Sequence, residues 1–147
     1  MGIYSRYKRD PDGFRKLVEL LETTPVTRRQ KMIDVGMDED PVYTQKALEF
    51  MLTFKDLLEM EETELMEVLA EAPVKMSAIS VSKLDEKIKE HFIKCTPVRF
   101  VSEFKEYSEI EYSLSEVGGA QLKLVSAARR LEKINKIKTK KIPSSVG

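Results

Sequence analysis

The chain is punctuated at helix-length intervals, and the punctuation limits what it can become. Pro25 and Pro73 each lack a backbone N–H and crowd the preceding turn, so each ends a helical run. Asp40-Pro41 and Thr96-Pro97 each read as an N-cap followed by a first-turn proline. Ser113, with Glu116 three residues on, is a capping box. Between these marks the apolar residues recur with a helical period, and the nearest approach to a strand, "SAISVS", is short. The pattern predicts an all-α chain of short helices.

Asp12 is expected to cap "GFRKLVELLETT", in which Phe14, Leu17, Val18, Leu20 and Leu21 form an apolar stripe. Thr27 is expected to cap "RRQKMIDVG", with Gly36 as its stop. "PVYTQKALEFML" follows. A loose basic arm over residues 1–12 thus precedes an armadillo-like three-helix unit over 13–50. Such a unit does not bury its apolar face alone. Leu17, Val18, Leu21, Met32 and Ile33 are therefore expected to stack on a like unit of another chain.

Further along, "EETELMEVLAEA" carries Leu65, Met66, Val68 and Leu69, and "VKMSAISV" is a weaker helix. Ser82 is read as the cap of "KLDEKIKEHFIKC", with Leu84, Ile88, Phe92 and Cys95 on one face. Thr96-Pro97 opens "PVRFVSEFKEY". The longest helix runs from Ser113 to about Lys136, with Val117, Leu122, Val125 and Leu131 toward the core. Gly118-Gly119 weakens it locally and leaves room for a neighbouring helix. Residues 138–147 are basic, then Pro/Ser-rich, and are expected to be disordered.

The formal net charge of the 147 residues is zero, so no global field draws the chain to nucleic acid or anionic lipid. The charge is uneven. Asp56, Glu59, Glu61, Glu62, Glu64, Glu67 and Glu71 follow one another with no basic residue between, whereas Arg129 to Lys141 is basic apart from Glu132. That basic stretch has no interleaved aromatics for base stacking. One cysteine, Cys95, excludes an intrachain disulfide framework. No apolar run reaches the roughly 18 residues of a membrane span, and "MGIYSRYKRDPDG" has no secretory h-region. Arg6 stands where a myristoylation motif wants Ser or Thr. A cytoplasmic protein without direct membrane insertion is expected.

The residues argue against catalysis. His91 and Cys95 are spaced as zinc ligands on one helix face, but the chain has no other His or Cys to complete a site. There is no glycine-rich phosphate loop, and the carboxylates are spread over solvated faces. The reading is of a non-enzyme with no cofactor and no metal.

"MLTF", Met51 to Phe54, is an apolar tetrad where a polar linker would be expected. "DEDPVYTQKALEFMLTFKDLLEMEETELMEVL", "KIKEHFIKCTPVRFVSEFKEY" and "LVSAARRLEK" stand in order along the chain. From Phe14 to about Lys138 they resemble the C-terminal part of the flagellar motor switch protein family FliG. The resemblance implies a right-handed superhelical arrangement: an armadillo-like unit, a hinge (Met51, Leu52, Thr53, Phe54), and a six-helix domain over 55–137. In the hinge, Leu52 replaces the family's first Phe. An apolar hinge would be held shut or open by burying Met51 and Phe54.

The resemblance also implies a non-enzymatic rotor component at the basal body. Its charged ridge, Arg99, Glu103, Lys105 and Glu106 with Lys83, would face the cytoplasmic loop of a MotA-type stator. Its apolar helical faces would meet FliM-type switch proteins, and the armadillo-like unit would self-associate. Some of the family pattern is missing. Tyr107 stands where a second acidic residue is expected, and the loop "SEIEYSL" has lost an Arg near Ser113. The family's amino-terminal and middle domains have no counterpart, which implies an excised piece or a short paralog, the latter slightly favoured by "MGIYSRYKRDPDG". The alternative expectation is a paralog that keeps the fold and serves as a non-torque adaptor.

Overall fold

A computed structural model describes residues 3–143. Ten α-helices account for most of them, and no strand occurs among the described residues. They are α1 (Ile3–Arg9), α2 (Gly13–Thr23), α3 (Val26–Glu39), α4 (Pro41–Phe50), α5 (Phe54–Glu59), α6 (Glu62–Glu71), α7 (Val74–Ser80), α8 (Glu86–Cys95), α9 (Val101–Ser108) and α10 (Leu114–Lys133). A 3-10 turn, Val98–Phe100, leads into α9. The all-α expectation holds. The chain forms two compact units: the described residues up to Leu52 together with those from Lys140 onward, and Thr53–Thr139.

The first unit is built on α1 to α4. Tyr4, Phe14, Leu17, Val18, Leu21, Tyr43, Ala47 and Ile142 form its buried core. The Phe14 ring meets those of Tyr43 and Phe50 edge-on, at 5.7 and 5.9 Å between centroids. Two of these contributors contradict the sequence reading. Residues 3–9 form a helix, not a loose arm, because Tyr4 is buried and its hydroxyl donates to the Met32 carbonyl. Residues 138–143 are not a loose tail, because Ile142 enters the core at 2 % exposure. Burying such a side chain contributes about 1.5–3 kcal/mol. The rest of the expected tail, 144–147, lies outside the described residues.

Two glycines make the close packing possible. A Cβ on Gly13 would collide with the Tyr7 carbonyl where α1 turns into α2. A Cβ on Gly36 would stand 2.5 Å from both the Tyr4 ring and Thr44 Oγ1. Gly36 is therefore not a helix stop. It is a buried notch through which α3 continues to Glu39.

Two of the expected caps form. Asp40 accepts the Tyr43 N–H at 3.1 Å at the start of α4, and Ser113 accepts the Glu116 N–H at 3.1 Å at the start of α10. The other expected side-chain caps do not form. Asp12 makes no side-chain cap to α2, and α3 starts after Pro25 with no side-chain cap from Thr27. Asp85, not Ser82, caps α8, while the Ser82 hydroxyl donates back to the Ile79 carbonyl. Thr96 likewise donates back, to the Phe92 carbonyl at 2.7 Å, so it does not open a helix at Pro97.

In the second unit α10 lies along α7 and also meets α5 and α6, while α7 packs on α9 and α8 on α6. Leu57, Leu65, Val68, Phe92, Phe104, Leu124, Ala127, Ala128 and Ile137 are fully buried there. Arg129 and Glu132 form a buried ion pair at 2.7 Å on α10. Leu124 takes the core position expected of Leu122, which is only half-buried. Gly118 and Gly119 adjoin open space, so they do not admit a neighbouring helix. α10 ends at Lys133, where Asn135 turns left-handed at φ 62° and the Lys136 N–H returns to the Leu131 carbonyl at 2.8 Å.

Candidate functional site

The chain leaves the first unit inside the apolar tetrad, between Leu52 and Thr53. α4 ends at Phe50, and Met51 is extended. Leu52 is 1 % exposed, and its N–H donates to the Glu22 carboxylate at 2.6 Å. Thr53 then caps α5. Its N–H donates to Asp56 Oδ2 at 2.8 Å, and its hydroxyl accepts the Asp56 N–H at 3.3 Å. The tetrad thus carries its own cap at its third position. Burial falls on Leu52, whereas Met51 and Phe54, expected to be the buried pair, are each half-buried. Phe54 meets the Phe92 ring at 6.1 Å.

Successive amides are therefore held by carboxylates of different units, Glu22 in the first and Asp56 in the second. A buried amide on a charged acceptor is a strong, geometrically defined anchor. The soft dihedrals between these two anchored nitrogens are φ and ψ of Leu52.

The charges singled out from the sequence all lie in the second unit and all are exposed. Arg99 is on the 3-10 turn, Glu103, Lys105 and Glu106 are on α9, and Lys83 is in the turn between α7 and α8. None of the five forms an ion pair among the described residues. The expected Arg99–Glu103 pair is absent because the 3-10 turn breaks the helical spacing, and the Arg99 guanidinium instead lies 4.8 Å from the Phe100 ring centre. Phe104 is fully buried and fixes how α9 is turned. Glu103 and Lys105 then stand about 200° apart around the helix, with Glu106 between them on the outer side. The three wrap the exposed side of α9 and do not form one line. Tyr107 is half-buried and lies under the Lys75 ammonium at 5.8 Å.

The acidic run before them is used differently. Glu62 pairs with Lys94 at 3.4 Å, Glu71 with Arg130 at 3.7 Å, and Glu64 accepts the Lys138 N–H at 2.6 Å. Part of the acidic run is thus paired with bases within the second unit.

The expected stacking face is not a surface. Leu17, Val18 and Leu21 are fully buried by α1 and Ile142, and Met32 and Ile33 pack half-buried against the same core. The unit covers its own apolar face with segments from both ends of the described chain. Glu22, Tyr4 and Ile142 are contributors that sequence reasoning missed. The available signal for α1 was the Tyr4 and Tyr7 pair at helical spacing.

His91 Nε2 lies 3.9 Å from Cys95 Sγ, and burial raises the pKa of that thiol. Among the described residues no group of three or more His, Cys, Asp or Glu side chains is placed to hold a metal ion. No helix of the described residues is long and apolar enough to cross a membrane.

Residues 37–138 match the FliG C-terminal domain family. The flagellar motor switch protein FliG of Thermotoga maritima is 26 % identical over 140 residues, covering 92 % of this chain and 41 % of that protein. Two solved structures share the fold. The crystal structure of FliG residues 86–343 from H. pylori superposes with a TM-score of 0.63 at 18 % identity, over 92 % of this chain and 65 % of that one. Full-length FliG from Aquifex aeolicus gives 0.54 at 24 % identity, over 91 % and 42 %. The chain spans about two-fifths of the Thermotoga protein's length.

Proposed function

The chain belongs to the FliG C-terminal domain family, and from that premise we propose that it is a rotor or switch component of a bacterial flagellar motor. In this reading it works at the cytoplasmic face of the basal body, as a non-enzymatic part that transmits force by protein contact. Arg99, Glu103, Lys105, Glu106 and Lys83 engage the cytoplasmic loop of a MotA-type stator, and a FliM-type switch protein is the second partner. The observation that carries the stator contact is the contrast in charge use. Glu62, Glu64 and Glu71 of α6 are partnered inside the second unit, whereas these five charges face solvent without an ion pair among the described residues. Unpaired, exposed charges are those that steer association and set register with a partner.

Met51–Phe54 serves as the hinge in this reading. The anchors at Glu22 and Asp56 support it, because they narrow this crossing to the φ and ψ of Leu52. Leu17, Val18 and Leu21 are not used for self-association, since they are buried in the chain's own core.

A second reading is a non-torque adaptor of the same fold. The spread of charge around α9 and the neutral Tyr107 favour it. Charge reversal separates the two. Arg99→Glu in the source cell should impair swarming if the chain transmits torque. Unchanged swarming, with the variant folded and expressed, would sink the stator contact and leave the adaptor.

A further inference from the structure

The chain passes between its two units twice, and the second passage lies beyond the residues that match the family. After α10, Ile137 is fully buried in the second unit, and Glu64 accepts both the Lys138 N–H, at 2.6 Å, and the Thr139 hydroxyl. The next residue, Lys140, already belongs to the first unit, where its ammonium donates to the Glu49 carbonyl at 3.1 Å. Two residues later Ile142 is in the first unit's core at 2 % exposure. Lys140 has φ 55°, a left-handed conformation that costs a residue with a Cβ roughly 1–2 kcal/mol and persists only where contacts on both sides hold it.

We infer that residues 137–142 are a strap, a second tether that restricts motion between the units. One covalent crossing, at Leu52–Thr53, would let the units swivel about several axes. A second crossing, at Thr139–Lys140, with no slack residue between its anchors, removes part of that freedom. The strap also completes the first unit's core, so stability and restriction share one residue, Ile142. This inference concerns the chain's path and goes beyond the motor reading, since it holds or fails whether or not the protein meets a stator.

The test uses the full chain with Cys95→Ala and spin labels on cysteines at the exposed positions Val42 and Val98, one in each unit. The distance distribution between the labels is measured by double electron–electron resonance. An insertion of about six Gly/Ser residues between Thr139 and Lys140 leaves both cores intact and adds roughly 13 Å of r.m.s. slack. It should widen the distribution by roughly a factor of two, with helical circular dichroism unchanged. Ile142→Asp should widen it in the same direction. An unchanged width for the insertion variant would overturn the strap, whatever Ile142→Asp does to folding.

Discussion

The buried Glu22 carboxylate accepts the Leu52 N–H at 2.6 Å across thirty residues of sequence, and it fixes the place where the first unit ends. A buried acid is expensive unless it is hydrogen-bonded, and a buried amide is expensive unless it has an acceptor. Each satisfies the other here.

Glu22→Ala leaves the Leu52 amide buried without that acceptor. The loss should be about 1–3 kcal/mol in urea unfolding, with Glu22→Gln recovering part of it through its amide oxygen. A loss below roughly 0.5 kcal/mol for Glu22→Ala, the size of an ordinary surface change, would show that the contact does not hold the junction.

The glycines should respond to alanine with opposite signs. Alanine favours a helix over glycine by about 1 kcal/mol. At Gly118 and Gly119 there is open space, so each change should raise thermal stability. At Gly36 the new Cβ would press on Tyr4 and Thr44 at 2.5 Å, so the change should lower it. Melting curves of the three variants decide the matter. A stabilising Gly36→Ala would mean that α1 is not seated as described.

Acid should weaken the first unit through Asp40. The Lys8 ammonium, bonded at 2.7 Å, and then the Tyr43 N–H hold this carboxyl below its ordinary value of 3.8. A folded-state pKa below the unfolded one means stability present above the unfolded value and lost as pH falls through the folded one. The contribution should be complete above about pH 4 and fade below it. Asp40→Asn should flatten that fall in a pH series of urea midpoints. An identical series for parent and variant would remove Asp40 from the account.

What the sequence disclosed and what it concealed follow one physical division. The caps at Asp40 and Ser113 were legible from spacing, whereas those expected of Ser82 and Thr96 were lost because these hydroxyls bond back to the preceding turn. The helical class was legible because the apolar period repeats along most of the chain. α1 was not, because "IYSRYKR" is mostly polar and holds its place through Tyr4 against Gly36, a contact between distant segments. Ile142 was hidden for the same reason, set among lysines, Pro143 and serines. Those two segments are what cover Leu17, Val18 and Leu21, so missing them turned a core into an expected interface. The five charges were found by resemblance to a family. Their spread around α9 depended on where the 3-10 turn ends, which depended on Thr96 bonding backward and not forward.

The most direct measurement of the central claim is affinity capture of the full chain from lysate of its source cell, run beside Arg99→Glu, with partners identified by mass spectrometry. The parent should recover a stator or switch protein of the motor, and Arg99→Glu should lose the stator while keeping its fold. Recovery of other proteins alone, with no motor component from either chain, would contradict it.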